Sequence, residues 1–115
     1  MTTIEEHRVG DVTVLALSGR LVLEGGDDDV RQKIDELIAQ GRTKVLIDMR
    51  AVNYVDSAGI GVLIAKYLSL RRKAGDLKFL KLNTRTEHVM QIAHLLSIFE
   101  IFENEDEAVR SFVRK

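Results

Sequence analysis

Short runs of apolar residues along the chain predict strands and helices in succession. Strand-like runs occupy residues 4–9 and 12–17, and the turn between them begins with Gly10. Glycine adopts positive φ without steric cost, as the tight turns of β-hairpins require. The chain is therefore predicted to open with a hairpin, and residues 18–23 are predicted to carry a short strand or edge segment before a glycine loop.

Helical spacing first appears after that loop. Acidic residues in a first turn complement the partial positive charge of a helix N-terminus, so a first helix is predicted from Asp27 to just before Gly41. Residues 44–49 then predict a buried strand, followed by a polar loop and a second helix that ends before Gly75. The core-facing stripe predicted for this second helix is Ile60, Leu63, Ile64, Tyr67 and Leu68.

The last third of the chain repeats the order of strand and helix. Strands are predicted over 78–82 and 98–102, and helices over 87–96 and 106–113. The residues predicted to face the core from these two helices are Val89, Ile92, Ala93 and Leu96, then Val109, Phe112 and Val113. A hairpin followed by strand–helix units predicts the α/β class, with one mixed β-sheet, parallel in its later strands, packed with about four amphipathic helices.

Composition narrows the classes of protein that fit this fold. A length of 115 residues suits one domain, so residues 1–115 are predicted to form a single unit. Seventeen basic and eighteen acidic residues give a net charge of −1, which offers no reason to expect nucleic acid or an anionic membrane as a partner. The sequence lacks cysteine, a bilayer-length apolar stretch and a secretion signal, so we expect a cytoplasmic protein without direct membrane insertion.

One polar segment separates the strand at 44–49 from the second helix. It contains the motif Asp56-Ser57-Ala58-Gly59-Ile60. Ser57 is predicted to be the N-cap, where its hydroxyl oxygen accepts a hydrogen bond from a first-turn N–H group. Capping alone explains most serines at such a position. A phosphate there would add about −1.5 to −2 units of charge and three acceptor oxygens, so the same hydroxyl is a candidate switch.

The motif and its setting resemble the STAS domain family, named for sulfate transporters and antagonists of anti-sigma factors. The opening hairpin, Ser18-Gly19, the strand ending in Asp48 and the helix ending before Gly75 follow the family's order, so the resemblance covers nearly the whole chain. The family's signature is Asp-Ser-Ser/Thr-Gly-aliphatic, and its first serine is phosphorylated in bacterial antagonists.

The resemblance implies a function based on partner switching. It implies a regulator of transcription, not an enzyme, that has no cofactor and binds an anti-sigma factor when unphosphorylated. That anti-sigma factor is also the serine kinase, and phosphorylation of Ser57 releases it. A serine phosphatase is implied as a further partner.

The predicted partner-binding surface surrounds Ser57. At about 100° per residue, Val62, Ala65 and Ser69 lie opposite the core stripe, where small side chains let a partner approach closely. The full set predicted to contact the partner is Asp56, Ala58, Gly59, Ile60, Val62, Ala65, Leu21 and Asp27. Two features depart from the family pattern, since Ala58 replaces the second hydroxyl of the motif and Arg20-Leu21-Val22 replaces Glu-Leu-Asp.

Other chemistry has less support in the sequence. The Gly-x-Ser-x-Gly elbow of serine hydrolases is absent. His88 and His94 are about 240° apart around a helix, so they do not form a metal-binding pair. Two alternatives stay open: a structural or transport-associated STAS subunit in which Ser57 is only a helix cap, and, more remotely, a phosphoaspartate receiver using Asp48.

Overall fold

The opening hairpin forms where the sequence predicts it. In the computed structural model, which describes residues 2–23 and 25–113, strand β1 (Thr3–Val9) pairs antiparallel with strand β2 (Val12–Leu21). Gly10 lies in the connecting turn with a φ of 62°, a conformation that favours glycine. The hairpin thus places β2 inside the sheet and leaves β1 at its edge.

Strand β2 is longer than predicted. The short strand or edge segment expected over 18–23 is not a separate element, because β2 continues without interruption to Leu21. The pairing register of β2 shifts between Ala16 and Ser18 and again between Gly19 and Arg20, and Gly19 has a φ of 92°. The glycine therefore accommodates a bulge inside one strand.

The predicted mixed sheet is confirmed. Its five strands lie in the order β1-β2-β3-β4-β5, and the later ones, β3 (Lys44–Val55), β4 (Asp76–Leu80) and β5 (Ile101–Phe102), run parallel to β2. Four helices connect or follow these strands: α1 (Asp27–Ala39), α2 (Ser57–Arg72), α3 (Thr84–Ile92) and α4 (Glu105–Ser111). Each parallel connection carries a helix, as such crossovers require.

The sheet buries both of its faces. Alternate residues of each strand point to opposite faces, so two hydrophobic clusters form. The larger cluster lies under α1, α2 and α3, and its strand residues include Leu15, Leu17, Val45, Ile47, Leu77 and Phe79. The smaller cluster lies under α4 and consists of Val12, Val14, Leu46, Leu80, Ala108 and Phe112.

A buried lysine attaches α4 to the second face. The Lys78 ammonium donates to the Ser111 hydroxyl at 2.9 Å and to the Ser111 carbonyl at 3.1 Å, and it lies 3.2 Å from the Glu100 carboxylate. The Phe112 ring centroid lies 4.8 Å from the same nitrogen. Three oxygen partners and an aromatic face compensate the loss of water around this cation.

The predicted boundaries in the last third need correction. Helix α3 begins earlier than residue 87 because the Asn83 side chain caps it, accepting from the Thr86 N–H at 2.7 Å. The predicted inward stripe is wrong, since Ile92 is 66% exposed while Thr86 and Met90 are buried. The predicted inward residues that are instead exposed are Ile92, Ala93, Leu96 and Val113.

The turn after α3 explains this change. His94 adopts a φ of 60°, so the helix ends and the following segment folds back. Leu95 and Phe99 then enter the core in place of the predicted residues. The strand predicted over 98–102 is consequently reduced to Ile101–Phe102, and α4 begins at Glu105 behind its Asn104 cap.

The end of α2 also differs from its prediction. The left-handed residue is Ala74, with a φ of 62°, where Gly75 was expected to stop the helix. A Cβ at Gly75 would overlap the backbone oxygen of Thr43, so glycine is required there for close packing on the start of β3. Among the described residues, no helix combines the length and the apolar character needed to cross a bilayer.

Phe79 offers a test of the larger cluster. It is fully buried, and its ring centroid lies 4.8 Å from that of Phe99. We expect Phe79→Ala to lower the free energy of unfolding by about 3 to 5 kcal/mol, measured by denaturant titration, because the deletion leaves a cavity. Ile92→Ala is the control and should stay within about 0.5 kcal/mol of the native chain, since its side chain is largely exposed. Equal losses in the two variants would contradict this packing.

Candidate functional site

The strand before Ser57 reaches almost to the serine itself. The polar loop predicted after residue 49 is wrong, because β3 continues to Val55 and pairs there with Leu21 of β2. The ladder is extended by one more bond, from the Asp56 N–H to the Leu21 carbonyl at 3.2 Å. The start of α2 is therefore fixed to the centre of the sheet.

Asp56, and not Ser57, is the N-cap of α2. Its backbone is extended, and its carboxylate Oδ1 accepts from the Gly59 N–H at 2.9 Å. The predicted capping role of Ser57 is thus wrong, and Ser57 is the first residue of the helix. The reason is the ladder, since pairing with β2 keeps Asp56 extended and turns its side chain toward the first-turn donors.

The Asp56 carboxylate also holds a second segment. Its Oδ2 accepts from the Leu23 N–H at 3.2 Å, across the gap between β2 and α2. The Gly59 N–H lowers the pKa of this carboxyl most, and the N–H groups of Leu23 and Ala58 add to the effect against the opposing influence of burial. Asp56 is therefore a stable anion that ties the segment after β2 to the start of α2.

Gly59 allows this close approach. A Cβ built at Gly59 would overlap the Leu21 carbonyl oxygen and come within 2.9 Å of Val55 Cγ1. Neither the backbone of β2 nor that of β3 can move away without breaking the ladder. Glycine is consequently the residue that lets α2 begin directly against the sheet.

The Ser57 side chain is exposed at the tip of α2. Within the part of the chain that the structure describes, its hydroxyl has no hydrogen-bond partner. It therefore has no structural role that would compete with modification.

The exposed side of α2 begins at Ser57. Two residues of α2, Val62 and Leu68, do not lie on the side of the helix that the sequence predicted. Ser57, Gly61, Ala65 and Leu68 are exposed, and Leu68 was expected in the core stripe. Val62 was expected outside, but it is only 2% exposed. One turn after Val62, Lys66 bonds Asp35 of α1 at 2.8 Å, so that side of α2 faces α1.

The residues predicted to bind a partner divide into two groups. Asp56 and Ala58 are partly exposed, and Ala65 is exposed. The others are buried in the free chain, and their role in partner binding also stays a prediction; these residues are Leu21, Asp27, Gly59, Ile60 and Val62. A partner-binding role for the accessible group stays a prediction.

The sequence reasoning missed Leu23. This side chain is 66% exposed and lies beside the motif through its bond to Asp56. The available signal was an apolar residue directly before Glu24-Gly25-Gly26, and it was read as the end of a strand. The structure places it at the border of the candidate surface.

The other candidate chemistry, an Asp48 phosphoacceptor or a metal site, has no support in the structure. Asp48 accepts from the Arg50 N–H at 3.0 Å and from the Arg50 guanidinium at 2.9 Å, so its carboxylate is occupied by a local ion pair. Among the described residues, no group of three or more His, Cys, Asp or Glu side chains is arranged to hold a metal ion. The site therefore presents an exposed hydroxyl beside a carboxylate that caps the helix.

A hairpin-led mixed sheet whose central strand leads directly into a serine-tipped helix defines the STAS class of α/β domains. The STAS domain family model matches residues 3–108, and the chain belongs to this family.

Named relatives and solved structures agree with this assignment. The chain is 27% identical over 107 residues to the anti-sigma F factor antagonist of Paenibacillus polymyxa, covering 92% of this chain and 89% of that protein. An anti-sigma factor antagonist from Mycobacterium paratuberculosis has a similar fold, with a TM-score of 0.86, 21% identity, and 98% and 95% of the two chains covered. The phosphorylated form of the Bacillus cell fate determinant SpoIIAA gives a TM-score of 0.76 at 24% identity, with 97% and 100% covered.

Two glycines of α2 form a matched pair for testing the site's packing. We expect Gly59→Ala to destabilise the domain by about 1 to 3 kcal/mol, because its methyl group meets backbone. Gly61→Ala should stabilise it by about 0.5 to 1 kcal/mol, because nothing lies within 4 Å and alanine favours helix. Denaturant titration measures both, and a stabilising Gly59→Ala would show that α2 does not rest on Leu21.

The lowered pKa of Asp56 predicts a pH dependence. The Gly59 N–H is its main cause, so the stabilisation is complete above the ordinary aspartate value of 3.8 and is lost as pH falls through the lower pKa of the folded state. Asp56→Asn lacks this carboxyl, so its stability deficit relative to the native chain should shrink as pH falls below about 4. Ser57→Ala, which retains the carboxyl, is the control. A deficit that stays constant from pH 7 to pH 3 would contradict the assignment.

Proposed function

We propose that this chain is an anti-sigma factor antagonist controlled by phosphorylation of Ser57. In the unphosphorylated state it binds an anti-sigma factor that is also its serine kinase, and phosphorylation releases that partner. A serine phosphatase restores the binding state. The observation that carries the proposal is the exposed Ser57 hydroxyl, without a hydrogen bond among the described residues, in the motif of a STAS domain.

Membership of the family and the named relatives support this function. The relative from Paenibacillus polymyxa is named an anti-sigma F factor antagonist, and it matches this chain over nearly its full length. SpoIIAA, which has the same fold, is described in a phosphorylated form. The proposed role is regulatory and places the protein in the cytoplasm, where sigma factors act. A transport-associated role for the domain is not favoured by these relatives.

The geometry explains how phosphorylation changes binding more than folding. Ser57 is the first residue of α2, where the helix dipole favours an anion by about 0.3 to 1 kcal/mol. The added group of about −1.5 to −2 charge lies next to the Asp56 carboxylate, on a helix with no other acidic residue in its first turn. In an interface both anions lose water, and each 1.4 kcal/mol of cost weakens binding about tenfold.

The accessible surface around Ser57 suits a closely packed partner. Gly61 and Ala65 follow Ser57 along the exposed side of α2 and project little beyond the backbone. A partner helix or loop can therefore approach the α2 backbone. A phosphate on Ser57 would stand above these small residues and block that approach.

Phosphorylation by an anti-sigma factor kinase tests the proposal. Each ATP-binding anti-sigma factor encoded in the same genome is incubated with this chain and ATP, and mass spectrometry locates the phosphate. We expect one phosphate, at Ser57, and none on Ser57→Ala. Ser69→Ala is the matched control on the same helix, since the Ser69 hydroxyl is already bonded to the Ala65 carbonyl at 3.0 Å. Equal phosphorylation of native chain and Ser57→Ala would refute the proposal.

Binding provides the second measurement. Phosphoserine at position 57 should weaken the complex with the same anti-sigma factor by at least about tenfold. The modified chain should still unfold in one cooperative transition, because the Ser57 hydroxyl makes no internal bond to a described residue. Unchanged affinity would show that Ser57 is not the switch.

A further inference from the structure

A cavity opens at the end of the sheet opposite Ser57. Its volume is about 440 Å³, within the range of about 300 to 1,000 Å³ that is typical of small-molecule sites. The hairpin turn, the starts of β3 and β4 and the ends of α2 and α4 form its wall. Because Ser57 follows the other end of β3, the cavity is separate from the candidate phosphorylation site. The lining residues that carry a charge or an aromatic ring are Asp11, Lys44, Arg71, Asp76, Lys78 and Phe112.

Four charged side chains of the wall neutralise one another in pairs. The Lys44 ammonium lies 2.7 Å from the Asp11 carboxylate. The Arg71 guanidinium lies 3.3 Å from the Asp76 carboxylate. These side chains are between 22% and 67% exposed, so water screens both pairs. The wall charge that these pairs leave unbalanced is that of Lys78.

The Lys78 ammonium is buried but only loosely held by its acidic partner. Its side chain is 6% exposed, whereas Glu100 is 59% exposed and lies outside the cavity wall. Two N–H donors of the ammonium bond the Ser111 carbonyl and hydroxyl, and the remaining donor is left for Glu100 at 3.2 Å. Water competes for the exposed Glu100 carboxylate. A second carboxylate that enters the cavity can therefore replace Glu100 at Lys78.

An aromatic ring lies beside this ammonium. The Phe112 ring centroid is 4.8 Å from Lys78 Nζ, and Phe112 lines the cavity. Ala74 and Val113 add apolar surface to the same wall. A buried cation next to an aromatic and apolar wall is complementary to a molecule with a carboxylate at one end and an aromatic ring at the other.

We propose that this cavity binds a small aromatic carboxylate, which pairs with Lys78 through its charge and packs its ring against Phe112. Glu100 is the internal competitor, because it holds the donor of Lys78 that the carboxylate of the ligand takes. The site is independent of the proposed function, since none of these residues belongs to the motif around Ser57.

Titration of the full chain with phenylacetate tests the cavity, with binding followed by the ¹⁵N and ¹H shifts of the backbone amides. We expect saturable shifts at Ala74, Gly75 and Ser111, which line the cavity, and none at Gly59. Phenylacetamide has the same ring without the charge, so it should bind at least about tenfold more weakly. Inorganic phosphate should give no saturable shift at the three lining amides, because it has no ring to pack against Phe112.

Each result of this titration supports or overturns the site. Shifts that require both the ring and the carboxylate support it. Absence of saturable shifts with phenylacetate overturns it, and so does equal binding of phenylacetamide or of phosphate.

Two variants distinguish a ligand site from a lysine that only attaches α4. Lys78→Met keeps a similar side-chain volume without the charge and should weaken phenylacetate binding at least about tenfold. Glu100→Gln removes the competing carboxylate and should strengthen binding about two- to fivefold. A purely structural Lys78 would not produce this gain.

A second lysine provides the matched control. Lys66 is also largely buried, at 13% exposed, but it pairs with Asp35 away from the cavity, so Lys66→Met should bind phenylacetate like the native chain. Equal affinities of Lys78→Met and Lys66→Met overturn the proposal. If Lys78→Met fails to fold, Glu100→Gln decides, and unchanged or weaker binding in that variant overturns the proposal.

Discussion

The carbonyl group of Leu21 determines the geometry of the candidate site. It accepts the Asp56 N–H and thereby extends the ladder between β2 and β3 to the first residue before α2. Gly59 packs against the same oxygen, which leaves no room for a side chain. Because these contacts keep Asp56 extended, its carboxylate becomes the cap and Ser57 falls one position later, exposed on the helix. A rigid sheet thus fixes the position of one hydroxyl.

The site separates residues that hold the fold from residues that form the surface. Leu21, Gly59 and Val62 are buried and connect α2 to the sheet and to α1. Ser57 and Leu23 are exposed and contribute little to the core. Of these residues, Asp56 belongs to both groups, since it caps α2 and accepts the Leu23 N–H. A charge added beside Asp56 therefore acts on the surface while the ladder beneath it stays intact.

The sequence predicted the elements best where local chemistry decides. Gly10 at the hairpin turn and the acidic start of α1 lie where they were expected, because turn and cap preferences depend on neighbouring residues. The sequence-based prediction failed where contacts between distant residues determine the structure. Residues 18–23 were predicted to carry a short strand or edge segment, but residues 18–21 belong to β2, since pairing with β3 continues on both sides of Gly19. Val62 was placed outside because helical projection does not include the packing of α1.

By itself the sequence determined the α/β class, the mixed sheet and the motif around Ser57, since these follow from local periodicity and a short signature. Only the tertiary structure decided that Asp56 is the cap, that Ser57 is exposed, and that Leu23 lies beside it. Each of these depends on the Leu21 carbonyl or the Asp56 carboxylate meeting a group more than thirty residues away in the chain. Such long-range contacts arise from strand pairing, which the periodicity of one segment does not specify.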